Sequence, residues 1–242
     1  MNEEERKQRR KFIKKKLIKQ KNKKKNEPPV LPHLEEIGNS VSHAVGAVCG
    51  IIALILMLVK SDNGRMVFAS LVYGISIIVV MINSSLYHAW KKGSTVKYIW
   101  RRFDYTSIYL LVAGTYAPLL LVELSDNCGY SLTLGIVWFS VMWGIVLIGI
   151  IFNSIFGPGR IQWLNFPLYF LLGWFGLIYI PIWVKCDRIA LLLWILFGGL
   201  VYTIGMIPFV RRGKVASHFI WHIFVLLGAI VQFIGIYIYI YI

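Results

Sequence analysis

Hydrophobic residues in this chain run together instead of alternating with polar ones. Seven stretches, 39–59, 66–90, 103–122, 130–152, 164–184, 189–210 and 217–242, are almost free of charge. Apolar runs of about 20 residues predict membrane-spanning helices. Short connections and the absence of a period-two pattern argue against a membrane barrel. The expected fold is an all-α integral membrane protein, a seven-transmembrane-helix bundle over 39–242 behind a tail of residues 1–38. That tail holds no apolar run that would form the core of a cleavable signal peptide, so the first span is expected to act as its own insertion signal. Pro28, Pro29 and Pro32 are expected to end any helix before it. Gly114, Pro118 and Pro208 should bend the spans that carry them.

Five polar residues break the apolar pattern on three spans. Ser84 and His88 stand four apart in SSLYH, His218 and His222 four apart in HFIWH, and Asp104 opens the third span in RRFDY. Residues at i and i+4 lie on one helix face, so each pair aims two polar groups in one direction. Polar groups inside a membrane are costly and usually face the bundle interior. With alternating span directions, all five fall at the same depth, near one face of the membrane. A single histidine would be explained by packing, and a single serine by a bond to its own helix. Three imidazoles with a carboxylate and a hydroxyl at one depth instead predict an open-site zinc centre. The ligands would be His88, His218 and His222. A zinc ion with three protein ligands can activate a water in its fourth position. Asp104 would then orient that water or act as general base, and Ser84 would donate to a developing oxyanion. His43, which shares a face with Asn39 at the start of the first span, is expected to stand behind the ligands.

Charge adds direction to this picture. The formal net charge is +15, and residues 1–38 hold 13 of the 26 Lys and Arg. Such a run can serve as a nucleic-acid arm. Ahead of seven spans, however, it points to membrane lipids, with the tail touching anionic headgroups and no nucleic-acid partner. A solvated, disordered cytoplasmic tail is the plainer alternative, since only Phe12, Ile13, Leu17 and Ile18 offer an apolar stripe. With the N-terminus inside, the tail, Lys91, Lys92, Lys97, Arg101, Arg102, Arg160, Arg211, Arg212 and Lys214 are inner. Only Lys60, Arg65, Lys185 and Arg188 are outer. That asymmetry predicts a cytoplasmic N-terminus and an outside C-terminus. The tyrosines of the closing IYIYIYI suit an interfacial belt. None of the seven predicted stretches contains a lysine, which argues against a retinal Schiff base. Three cysteines are too few for a disulfide framework; Cys49 is expected to pack inside, while Cys128 and Cys186 fall in outer loops and are able to pair if those loops meet.

Four segments, EEIGNSVSHAVGA (35–47), SSLYHAW (84–90), RRFDYTSIYLLVAGTYAP (101–118) and SHFIWHIFVLLGA (217–229), resemble the hallmark segments of the hemolysin III proteins. That family belongs with the progestin and adipoQ receptors and, more distantly, the alkaline ceramidases. The resemblance covers roughly 33–242 and leaves out the basic tail. It implies a seven-helix bundle in the cell membrane with a cytosolic N-terminus, zinc on His88, His218 and His222, and Asp104 and Ser84 around the water. It also implies three possible functions. Receptor and ceramidase relatives are associated with hydrolysis of amide-linked lipids, so a metal-dependent hydrolase of amide- or ester-linked lipids is the first. The hemolysin III branch was named for a cytolytic, pore-forming activity, which makes a pore with structural zinc the second. A sensor of membrane fluidity or lipid homeostasis is the third. Gln232 stands where some relatives have a further histidine.

Overall fold

A computed structural model describes residues 3–210 and 216–242. Arg211, Arg212 and Lys214, counted above with the inner charges, lie outside the described residues. The described residues are helical, without a strand: α1 (Glu3–Lys25), α2 (His33–Val59), α3 (Gly64–Ala89), α4 (Thr95–Pro118), α5 (Leu132–Phe156), α6 (Gln162–Gly173), α7 (Ile180–Lys185), α8 (Ile189–Val210) and α9 (Ser217–Ile236). Wider, π-helical turns extend α4 through Leu119–Asn127 and α9 through Tyr237–Tyr241. A short 3-10 segment, Phe175–Tyr179, joins α6 to α7 in one crossing. Seven of these units are long and apolar enough to cross a membrane, and this is a multi-pass membrane protein.

The spans begin and end elsewhere than hydropathy alone suggests. The first starts at His33, six residues before the expected 39, and the third at Thr95, eight before the expected 103. Ser94 caps α4 by accepting from the Lys97 backbone N–H at 3.1 Å, the usual way a helix N-terminus is satisfied. Asp104 therefore sits in the third turn of α4 instead of opening it. Lys97 and Arg101, expected in a loop, are buried helix residues at 1% and 2% exposure. Hydropathy windows reject such charges, but each has partners. Lys97 Nζ lies 2.8 Å from Glu36, and Arg101 donates to the Glu27 carbonyl at 3.0 Å.

α4 is the central strut. Of its apolar window 83% lies inside the protein, against 22–50% for the other spans. It packs on α3 and α5, while α2 pairs with α3 and α9, and α9 with α8. Close approach of α3 and α4 depends on Gly114, where a Cβ would stand 2.3 Å from Ser76 Oγ. Small residues are how membrane helices come together without a hydrophobic driving force. After Pro118, which lacks an N–H, the helix widens into its π turns and carries Glu123 to the far end of the bundle. There Glu123 is fully buried and accepts from Arg188 at 3.1 Å and Asn127 at 2.6 Å. Beside it Cys128 and Cys186 form a disulfide.

Three expectations change. The tail is helical over Glu3–Lys25. Its Lys, Arg, Glu and Gln are good helix formers, and acids in its first turn and bases in its last suit the helix dipole. Cys49 is exposed on the outer surface of α2 instead of packed inside. Tyr241 is buried and accepts a hydrogen bond from Ser70 at 2.8 Å, so it locks α9 to α3 in place of joining an interfacial belt.

Candidate metal centre

The end of the bundle that carries the tail gathers polar side chains from α2, α3, α4 and α9. On α3, Ser84 and His88 share the face turned inward, and both are buried. On α9, the helix starts at Ala216 in a left-handed conformation with no side-chain cap. The cap comes from α2: Glu35 accepts from the backbone N–H groups of His218 at 3.0 Å and Phe219 at 3.3 Å. A carboxylate is favoured at a helix N-terminus. The first turn of α9, and with it His218 and His222, is thereby fixed against α2.

Ligand nitrogens of His88, His218 and His222 all lie within 4.8 Å of one another. His88 Nε2 and His218 Nε2 stand 3.2 Å apart. Two imidazole nitrogens sharing a tetrahedral ion at about 2.0–2.1 Å would be about 3.3 Å apart, so the spacing accommodates one. The buried His222 Nδ1 has no hydrogen-bond partner among the described residues, as befits a group whose partner is an ion. These three histidines could hold a metal ion.

His88 is oriented from behind. Its Nδ1 lies 2.6 Å from Glu36 Oε2, and the other oxygen of Glu36 pairs with Lys97 at 2.8 Å. A carboxylate paired with an ammonium is ionised and only accepts, so Nδ1 carries the proton and Nε2 turns its lone pair to the centre. A carboxylate behind a ligating imidazole fixes its tautomer and raises its basicity. The Asn39 amide lies 3.4 Å from the same Nδ1. His43 Nε2 lies 3.3 Å from the His222 carbonyl, with the two rings 4.0 Å apart. Glu36, Asn39 and His43, at i, i+3 and i+7, thus present one face of α2 to the centre. Glu35, Glu36 and Lys97 escaped the sequence reading, although the helical spacing of Glu36 to Asn39 and His43 was a signal for one of them. Starting the first span at 39 left both acids in the tail.

Asp104 is not among the groups close enough to share an ion with the three imidazoles. Its carboxylate lies near the Ser84 side chain. Ser84 stands one helical turn from His88 on α3. An apolar cavity of about 100 Å³ lies between α4, α6, α8 and α9. Phe209 and Trp221 line it, and the Phe209 ring packs 5.7 Å from that of His218.

A model of proteins described as haemolysin-III related matches residues 33–233. The chain belongs to this family. It is 32% identical over 210 residues to Hemolysin-3 of Bacillus cereus, covering 85% of this chain and 92% of that protein. Identity to the Hemolysin-3 homolog of Bacillus subtilis (strain 168) is 30% over 209 residues, 85% of this chain and 94% of the relative. The human monocyte to macrophage differentiation factor is 27% identical over 213 residues, 86% of this chain and 85% of the relative. The family segment begins with the first residue of α2. It therefore includes Glu35 and Glu36 along with the histidines, and it excludes α1. In this haemolysin-III-related chain Gln232 is buried, lines the apolar cavity and donates to the Ile195 carbonyl at 3.4 Å.

Proposed function

We propose that the protein is a zinc-dependent hydrolase of amide- or ester-linked membrane lipids, with the tail end of the bundle facing the cytoplasm. The observation that carries this reading is an apolar cavity lined by Phe209, whose ring packs 5.7 Å from that of His218 in the histidine cluster. Such a cavity would accept a short run of methylene groups beside the polar cluster. Zinc suits three neutral imidazoles with no thiolate, and when bound it lowers the pKa of a water in its open position to about 7. His88, His218 and His222 would hold the ion, and Glu36, 2.6 Å from His88 Nδ1, would fix the tautomer of that ring. With an ion bound, Asp104 would serve as the general base, with Ser84 beside it one turn from His88. The orientation rests on the distribution of Lys and Arg.

The test uses wild type and Asp104→Asn reconstituted in the same vesicles, with free fatty acid release and dye leakage measured together. The expected result is acid release that Asp104→Asn abolishes while zinc content stays unchanged. Leakage without acid release from any amide- or ester-linked lipid would replace the hydrolase with a permeabilising protein. Silence in both would favour a sensor.

A further inference from the structure

A second polar pocket lies where the tail meets the bundle, apart from the histidine centre. Asn26, just after α1, donates to the Phe156 carbonyl at 2.8 Å and accepts from the Arg160 backbone N–H at 3.2 Å. The loop between α5 and α6 is shaped for that contact. Gly157 has φ +81°, and a Cβ on Gly159 would stand 1.8 Å from the Lys25 carbonyl oxygen. Docking leaves an open hollow of about 490 Å³ walled by Lys24 and Lys25 of the tail, Arg101 of α4, and Arg160. Among the described residues, Glu27 is the one acid lining it. Four cations around one carboxylate leave a strong positive excess.

Two buried donors at this pocket lack partners among the described residues, Arg101 Nε and Gln162 Nε2. Arg101 is only 2% exposed, and an unsatisfied buried donor costs about 1–3 kcal/mol. Its guanidinium is otherwise held by the Glu27 carbonyl and lies over the Tyr105 ring. Planar guanidinium donors suit the oxygens of a phosphate. The pocket opens at the first turn of α6, beside Trp163, which is 74% exposed. Trp163 and Phe170, two turns apart, are both exposed on α6. An indole at the end of a span marks the headgroup level, and the track below it suits an acyl chain.

We propose that this pocket binds the phosphate of an anionic phospholipid headgroup and so clamps the tail helix to the α5–α6 loop. A zwitterionic headgroup would bring its own cation against four others, so phosphatidylglycerol should be preferred to phosphatidylcholine. The full-length protein in neutral detergent is titrated with each lipid and with inorganic phosphate, and bound lipid is counted by native mass spectrometry. Lys24→Gln combined with Arg160→Gln should weaken phosphatidylglycerol about 30-fold, from about fivefold per basic residue at a charged lipid surface. Lys24→Arg with Arg160→Lys should restore it, which separates charge from folding. In the wild type, the preference over phosphatidylcholine should collapse between about 0.1 M and 1 M salt. Equal affinity in wild type and the double Gln variant, or a preference insensitive to salt, would overturn the site. Inorganic phosphate binding as tightly as phosphatidylglycerol would keep the anion site and overturn the lipid as its occupant. Neither zinc content nor hydrolysis enters the measurement, so its outcome is independent of the proposed activity.

Discussion

Glu36→Gln is the sharpest test of how the histidine centre is built. In the wild type Glu36 accepts from His88 Nδ1 at 2.6 Å and pairs with Lys97 at 2.8 Å. Glutamine keeps the shape and one acceptor but removes the charge behind the imidazole. Losing an outer-shell partner of this kind typically weakens metal binding about 10–100-fold, or about 1.4–2.8 kcal/mol. The same change strands the Lys97 ammonium, which is 1% exposed. Breaking a buried pair from one side costs about 3–5 kcal/mol. Lys97 retains the Trp90 carbonyl at 3.3 Å and the Tyr87 ring at 4.9 Å, so the lower end, about 3 kcal/mol, is expected. The two losses separate in a second variant. Glu36→Gln with Lys97→Met removes the stranded charge and should regain most of the stability while zinc stays weak. Zinc affinity is read by competition with a chromogenic chelator on purified protein, and stability by thermal unfolding of the metal-free form. Wild-type zinc affinity in Glu36→Gln, alongside its loss in His88→Ala, would refute the role assigned to the carboxylate. Recovery of zinc affinity together with stability in the double variant would trace the loss to misfolding instead.

His218→Ala or His222→Ala should bind far less zinc than the wild type when both are loaded with it, and should be less stable thermally; stoichiometric zinc in either variant would remove that histidine from the ligand set. Protons compete with the ion for imidazole, so zinc retention should fall progressively on acidification, and a metal content that never falls with acid would argue against three histidine ligands. Gly114→Ala should destabilise the bundle by about 1–3 kcal/mol, because the new methyl meets Ser76 across a packed α3–α4 seam; unfolding in denaturing detergent measures it, and a neutral result would show that the seam yields. A reporter placed between α3 and α4 should be cytoplasmic and one fused after Ile242 should be outside; finding both on one side would contradict the seven crossings.

Apolar run length and i, i+4 spacing made the seven crossings and the pairs Ser84/His88 and His218/His222 legible, since both patterns lie within single helices. The alternation of span direction brought the three histidines to one depth, and the fold draws their ligand nitrogens within 4.8 Å. The Cys128–Cys186 bridge was open in the sequence, because 58 residues of separation say nothing about whether two loops meet. The folded helix ends bring those two cysteines together.

Hydropathy also located the membrane, but it could not tell which charges near the spans are buried. Glu36, Lys97 and Arg101 look like tail and loop residues because a charge in a hydropathy window counts as solvated. Whether a charge can be buried depends on a counter-charge or hydrogen-bond partner in space, and here those partners come from other helices: Glu36 for Lys97, the Glu27 carbonyl for Arg101. The same holds for the tail, whose composition allowed either a helix or a solvated coil until Asn26 met the α5–α6 loop. Local sequence determined which segments cross the membrane and which faces carry histidine. Only tertiary contact decided where α2 and α4 begin, what stands behind His88, and which basic residues converge on one pocket, because the energy of a buried polar group is set by its neighbours in space and not by those along the chain.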